Sequence, residues 1–323
     1  MKKLFCLFFV LALALVGCVA HEPSDMTLVP GDTSSESSVQ ESSAEETISE
    51  ESVPNFMETA PNTISTLDYA NTGRMGDVDG PAFAVYSNIG YTGASVIMDV
   101  ENMEINTVMK GGKFVNAYCF FGVDVYDDSA TWWQNCVDVG LCWSGRFGGW
   151  HLFYNMYEPL NEGTPTWYES GVKLPKDDIY EMSMTITEDN YATLTIKGQK
   201  TGATDSVTLE VKGARADGKN TAMLFNVALD YPPDTKVDRE GNPCEDWVEI
   251  TLANSDKGLF FRNFHVWELK LYQGETASDW TDNLSSAISI WPDKAVEGFD
   301  YSPTLVGLFG GTEYVINLDM NRN

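Results

Sequence analysis

Apolar and polar residues alternate with a period of two through much of the chain from Val115 onward. In Val115–Tyr126 the odd positions Val115, Ala117, Cys119, Phe121, Val123 and Val125 are apolar. In Trp132–Trp143 the odd positions Val137, Val139, Leu141 and Trp143 repeat the pattern. Successive side chains of a strand point to opposite faces, so such a register predicts strands with one face on a core. Tyr180–Thr187, Tyr191–Lys197, Ser206–Val211, Ala222–Leu229, Glu245–Leu252 and Leu259–Tyr272 read the same way, and Tyr314–Met320 reads as a closing strand. Turn-forming clusters separate them, among them Glu188-Asp189-Asn190 and Arg215-Ala216-Asp217-Gly218. Only Ser278–Ser289 invites a short helix, capped at Ser278 or Asp279. Many short strands joined by turns predict an all-β, antiparallel, jelly-roll-type sandwich.

The first residues break this pattern. Lys2 and Lys3 precede an unbroken apolar run, Leu4–Val16, followed by Gly17 and Cys18. A span needs about 20 apolar residues, so the run is short for a membrane helix. It resembles a bacterial lipoprotein signal peptide, residues 1–17, closing on a lipobox. The resemblance implies that Cys18 is lipidated, becomes the mature N-terminus and anchors the protein outside the cytoplasm.

From Val19 to Asn55 the chain has nine acidic residues and no Lys or Arg, with Ser, Glu and Thr dominating. Such a segment buries too little apolar surface to offset its ordering entropy, and its like charges extend it. Residues 18–55 therefore read as a disordered tether of roughly 35 Å reach as a coil, and over ~100 Å when stretched. Residues 56–323 form the folded sandwich domain.

Charge narrows the partners. The chain holds 48 acidic and 20 basic residues, a formal net charge of -28. Nucleic acid is excluded as a natural partner, because affinity for it rests on neutralising phosphates. Neutral glycans, cations and basic protein patches stay open.

Short motifs add a second resemblance. The run Asn116-Ala117-Tyr118-Cys119-Phe120-Phe121-Gly122, then Val137-Asp138-Val139-Gly140-Leu141, then Gly149-Trp150-His151-Leu152-Phe153 resemble the concanavalin-A-like lectin/glucanase sandwich. The late pair Thr221–Leu229 and Phe261–Leu271 adds to it. The central part is also similar to small secreted Firmicutes domains of unassigned function. Glucanases of that sandwich carry Glu-x-Asp-x-Glu on one strand, which puts three carboxylates in the cleft. Here the matching segment is Cys136-Val137-Asp138-Val139-Gly140, and only the central Asp138 remains. No catalytic residue is assigned.

What remains is a face. The polar side of the central strands is rich in rings: Tyr118, Phe120, Asp124 and Tyr126 in one strand, Trp132, Gln134 and Asp138 in the next, and His151 and Asn155 in a third. Flat rings beside Asp, Asn and Gln suit a glycan, whose C–H faces stack and whose hydroxyls need hydrogen bonds. The leading expectation is a surface-anchored, non-catalytic lipoprotein binding a glycan or other envelope component. Two alternatives are a carbohydrate-active enzyme with an unrecognised site and an adhesive envelope protein. No cofactor is expected. Gly76-Asp77-Val78-Asp79-Gly80 resembles half of a calcium loop, with Asp77 and Asp79 as weak ligands, but lacks the closing Glu. Of the cysteines left after the signal and Cys18, Cys136 and Cys142 cannot bridge within one strand. Six residues separate their Cα atoms by about 20 Å, against the ~7 Å a disulfide allows. Cys119 falls on the core face by parity and reads as a buried thiol, and cross-strand pairing among Cys119, Cys136, Cys142 and Cys244 stays open.

Overall fold

The chain folds into two antiparallel sheets packed as a sandwich, with no α-helix among the described residues. The computed structural model describes residues 67, 80–108, 115–144, 147–157, 167–230, 258–294 and 303–319. All of them belong to one unit, Phe56–Asn323. Cys18 and the tether, Asp77 and Asp79, Cys244 and the strand expected over Glu245–Leu252 lie outside the described residues.

The first sheet has seven strands. In spatial order they are β14 (Ser285–Trp291), β1 (Ala82–Ser87), β11 (Thr221–Asp230), β4 (Asn116–Tyr126), β5 (Trp133–Ser144), β6 (Gly149–Met156) and β7 (Trp167–Glu169). The second runs β10 (Thr204–Glu210), β9 (Tyr191–Gly198), β8 (Ile179–Glu188), β2 (Gly93–Asp99), β12 (Phe260–Gln273), β16 (Tyr314–Asp319) and β15 (Leu305–Leu308). Two further strands, β3 (Glu104–Asn106) and β13 (Thr276–Asp279), also pair with β12.

The alternation read from the sequence sets which side chains face inward. From the first sheet Ala117, Cys119, Phe121, Val123, Val137, Val139, Leu141, Trp150, Met223, Phe225 and Val227 are almost wholly buried between the sheets. Ala94, Val96, Met98, Met182, Met184, Leu194 and Ile196 meet them from the second. Burial of this apolar surface, at about 25 cal/mol per Å², is the main force holding the sheets together.

Strand β12 departs from simple alternation. Its inward residues are Phe261, then Phe264 and Val266, then Leu269 and Leu271, so the phase slips twice. Each slip coincides with a register shift and a non-glycine residue at positive φ: Asn263 at 54° and Glu268 at 51°. An extra residue in one strand takes up the left-handed conformation and resets which side faces the core. The bulges let a 14-residue strand follow the twist while keeping its apolar residues buried.

The helix expected over Ser278–Ser289 is absent. That stretch contains the end of β13, one 3₁₀ turn at Asp282–Leu284, and the start of β14. The sequence Ala287-Ile288-Ser289-Ile290-Trp291 is rich in residues that favour strands, and β1 offers an open edge for it. Tertiary pairing overrides the weak cap signal.

Cys119 points into the core, and Cys136 and Cys142 point to the opposite face of the same sheet. All three are buried, and Cys119 and Cys142 are free thiols.

Candidate functional site

The outer face of the seven-stranded sheet, turned away from the core, carries its own apolar cluster: Ala84, Tyr86, Tyr118, Phe120, Cys142, Phe153 and Leu224. The strand register arranges this face in rows. One row crosses Ala82, Ala228, Tyr118, Cys142 and His151. The next crosses Ala84, Asn226, Phe120, Gly140, Phe153 and Glu169. The third crosses Tyr86, Leu224, Gly122, Asp138, Asn155 and Trp167.

Two glycines shape it. A Cβ at Gly140 would lie 2.5 Å from Phe120 Cα, so only glycine lets the Phe120 ring pass over β5 toward Phe153. A Cβ at Gly122 would lie 2.8 Å from Asp138 Oδ1, so glycine leaves the space this carboxylate occupies.

Four rings then form a wall. Phe153 lies 5.0 Å from Tyr118, 5.8 Å from Phe120 and 5.3 Å from Trp167, centroid to centroid. Trp167 meets Tyr118 edge-on at 6.0 Å. These spacings suit aromatic pairs. Asn116 Nδ2 donates to the Tyr118 hydroxyl at 2.9 Å and fixes that ring from below. Tyr118, Phe120 and Phe153 are nearly buried, whereas Trp167 is 37% exposed. A small, solvent-connected cleft of about 50 Å³ opens against this wall. Gly80, Ala82 and Ala228 line one side, and Asp138, Asn155 and Asn226 supply its polar groups.

The residues expected from sequence distribute as follows. Tyr118, Phe120, Asp138 and Asn155 line the cleft. Asp124 lies on the same face beyond Asp138 and accepts a hydrogen bond from Trp133 Nε1 at 3.2 Å. Tyr126 is buried in a separate cluster with Leu67, Ile89 and Ala222. Trp132 stands 56% exposed in the turn between β4 and β5. Its backbone N–H donates to Asp127 Oδ1 at 3.0 Å. Backbone N–H groups of Thr131 and Trp132, with the Ser129 hydroxyl, hold the Asp127 carboxyl below its usual range. Gln134 is exposed and donates to the carbonyls of Trp132 and Trp133 at 3.3 Å. Trp132 in the turn and Gln134 at the start of β5 therefore stand together outside the cleft.

His151 is buried on the outer face opposite Cys142, one row from the cleft. Its Nδ1 donates to the Ser170 carbonyl at 2.9 Å, since a carbonyl can only accept. Its Nε2 is buried without a hydrogen-bond partner. The neighbouring Cys142 thiol is pushed well above its ordinary pKa, first by burial and then by the Glu169 carboxylate. It stays protonated and is no thiolate nucleophile. Glu169 itself accepts from Trp167 Nε1 at 3.2 Å through Oε1. Among the described residues no group of three or more His, Cys, Asp or Glu side chains could hold a metal ion. No helix there is long and apolar enough to cross a membrane.

Six lining residues escaped the sequence reading: Gly80, Ala82, Phe153, Trp167, Asn226 and Ala228. Asn226 was legible, because it occupies the polar parity of the expected strand Ala222–Leu229. Trp167 was not, because its three-residue strand is too short to show a period.

No family model and no curated protein matches the chain. Among solved structures it is similar to scytalido-glutamic peptidase with a transition-state analog inhibitor, at 14% identity and a TM-score of 0.41. That match covers 73% of this chain and 97% of the peptidase. SCP-B, an eqolisin-family peptidase in complex with the tripeptide Ala-Ile-His, shows 14% identity over 74% of this chain and 98% of its own, TM-score 0.35. Tailspike protein 2 of an Escherichia coli O157:H7 bacteriophage shows 12% identity over 70% of this chain and 31% of the tailspike, TM-score 0.26. At these values the likenesses carry no inference about activity.

Proposed function

We propose that this chain is a surface-anchored, non-catalytic lipoprotein, held to the bacterial membrane through Cys18, whose seven-stranded sheet binds a glycan in its outer cleft. One observation carries the reading. A wall of four rings, one of them half-open to solvent, stands beside Asp138, Asn155 and Asn226 in one cleft. Rings stack on the C–H faces of a sugar, and amides and carboxylates take its hydroxyls. The concanavalin-A-like resemblance supports the same class of ligand.

A glycan array probed with the purified chain tests this. Binding that falls at least tenfold in Trp167→Ala, with an unchanged melting midpoint, is the expected outcome. An array without signal, or a Trp167→Ala variant binding like wild type, overturns it. The anchor is tested separately: a processed Cys18→Ser protein should move from the detergent phase to the soluble fraction, and unchanged partitioning would overturn it.

A second reading, glycan cleavage, has one observation in its favour. Asp138 and Glu169 share this face from strands two apart, one row offset, so their Cα atoms stand roughly 12 Å apart. Release of reducing ends from mixed polysaccharides, abolished in Asp138→Asn, would replace the non-catalytic reading.

A further inference from the structure

Asn226 is the most demanding group in the cleft. Its side chain is 2% exposed, yet its Oδ1 has no hydrogen-bond partner among the described residues. A buried amide left unbonded is costly, and native proteins seldom carry one without a use. It lies in a small apolar bay. Ala84 flanks it on β1, Ala228 follows it along β11, and Ala82 sits across from Ala228. Alanine methyls thus flank the amide on the β1 side and along β11, and the Phe120 ring stands across from it on β4. Among the described residues the cleft lining includes the Asp138 carboxylate and no Lys, Arg or His.

We infer that this bay receives the acetamido group of an N-acetylhexosamine. The inference rests on the glycan reading above and names the sugar class for the same cleft. An acetamido group offers a methyl for the alanine floor and an amide for Asn226, which presents both a donor and an acceptor whichever way it is turned. A plain hydroxyl satisfies Asn226 but leaves the methyl-lined space without apolar contact. A uronate brings a second negative charge beside Asp138 with no cation in the lining to offset it. The order of affinity is therefore N-acetylhexosamine, then neutral hexose, then uronate.

Calorimetry on the detergent-solubilised full chain tests the order with probes matched except at C2. Tri-N-acetylchitotriose is compared with cellotriose, and N-acetylgalactosamine with galactose; trigalacturonic acid is the anionic probe. The N-acetylated member of at least one pair should bind tenfold or more tighter, and trigalacturonic acid should not bind. Ala228→Leu, which fills the bay from a half-buried position, should erase that preference, bringing the two members of each pair to within threefold of one another. Asn226→Ser keeps a polar group and should weaken the N-acetylated ligand selectively if the leucine variant fails to fold. Equal binding within both pairs, or tight binding of trigalacturonic acid, overturns the inference and leaves the glycan reading standing. Silence from all five probes, together with a silent array, removes both.

Discussion

The outer faces of the two sheets differ more than their inner ones. On the second sheet, Ser183, Thr185, Thr193, Thr195, Thr204, Ser206 and Thr208 face outward and are half-buried or exposed. Hydroxyls pair across strands, Thr193 with Thr208 at 2.8 Å and Thr195 with Ser206 at 3.2 Å. That is the ordinary economy of an antiparallel sheet, one face on the core and one in water. The seven-stranded sheet instead is apolar on both faces, with Ala84, Tyr118, Phe120, Phe153 and Leu224 nearly buried on the outer one. Aromatic surface on the far side of a complete sandwich adds nothing to the inter-sheet core. Its presence separates what the fold requires from what this molecule adds to it.

The contrast is most sharply tested by placing the same charge on each face. Ala84→Lys puts an ammonium into a 4% exposed site among methyls and rings. It should cost about 3 kcal/mol or more, from unpaired charge and excess volume. Thr185→Lys on the other sheet should stay within about 0.5 kcal/mol of wild type. Urea unfolding reads both; equal losses would show that the two outer faces are alike.

A smaller effect concerns what anchors the polar sheet. Asp178, immediately before β8, is fully buried and accepts backbone N–H groups of Ile179, Lys200 and Thr201 at 2.7, 2.8 and 3.1 Å, with the Thr201 hydroxyl as a fourth donor. Burial alone would raise its pKa, but these donors, led by the Thr201 hydroxyl, overcome it and hold the value below the ordinary one. The folded pKa is depressed, so the stabilisation is present above the unfolded carboxylate range and is lost as pH falls through the folded value. Asp178→Ala should cost about 1–3 kcal/mol at pH 7. The gap to wild type should narrow in acid, below about pH 4. A gap that does not change with pH would show that the ionised carboxylate is not the source.

The smallest effect lies in the hydroxyl ladder. A double-mutant cycle of Thr193→Val and Thr208→Val should give a coupling of about 0.2–1 kcal/mol. A coupling of zero would make the ladder a matter of solubility alone.

The fold was legible because period two is a local signal, and the long central strands of both sheets carry it, although β1, β7, β14 and β15 do not. Two things hid from it. The phase slips of β12 at Asn263 and Glu268 depend on how the strand must twist against β2 and β16, which no window of the sequence records. The cleft was half legible. Parity placed Tyr118, Phe120, Asp138 and Asn155 on one face, and they do share the cleft. It could not show that Trp132 ends in a turn, nor that Trp167 and Asn226 reach that cleft from opposite sides across five strands. Adjacency across a sheet is set by pairing between distant segments, and alternation is blind to it.

The strand order also dictates when the molecule can exist. Strands β4 to β7 form one meander of sequential neighbours, and β8 to β10 form another. Each can pair as soon as its own residues are made. The first two strands cannot. β1 waits for β11 and β14, and β2 is enclosed only when β12 arrives. Closing loops of this length delays pairing until after synthesis, and such topologies fold slowly. The ring wall belongs to the early meander, while Ala82, Asn226 and Ala228 belong to the late closure. A nascent chain therefore displays its aromatic wall before it owns a floor, and it completes its cleft in the same step that completes its fold.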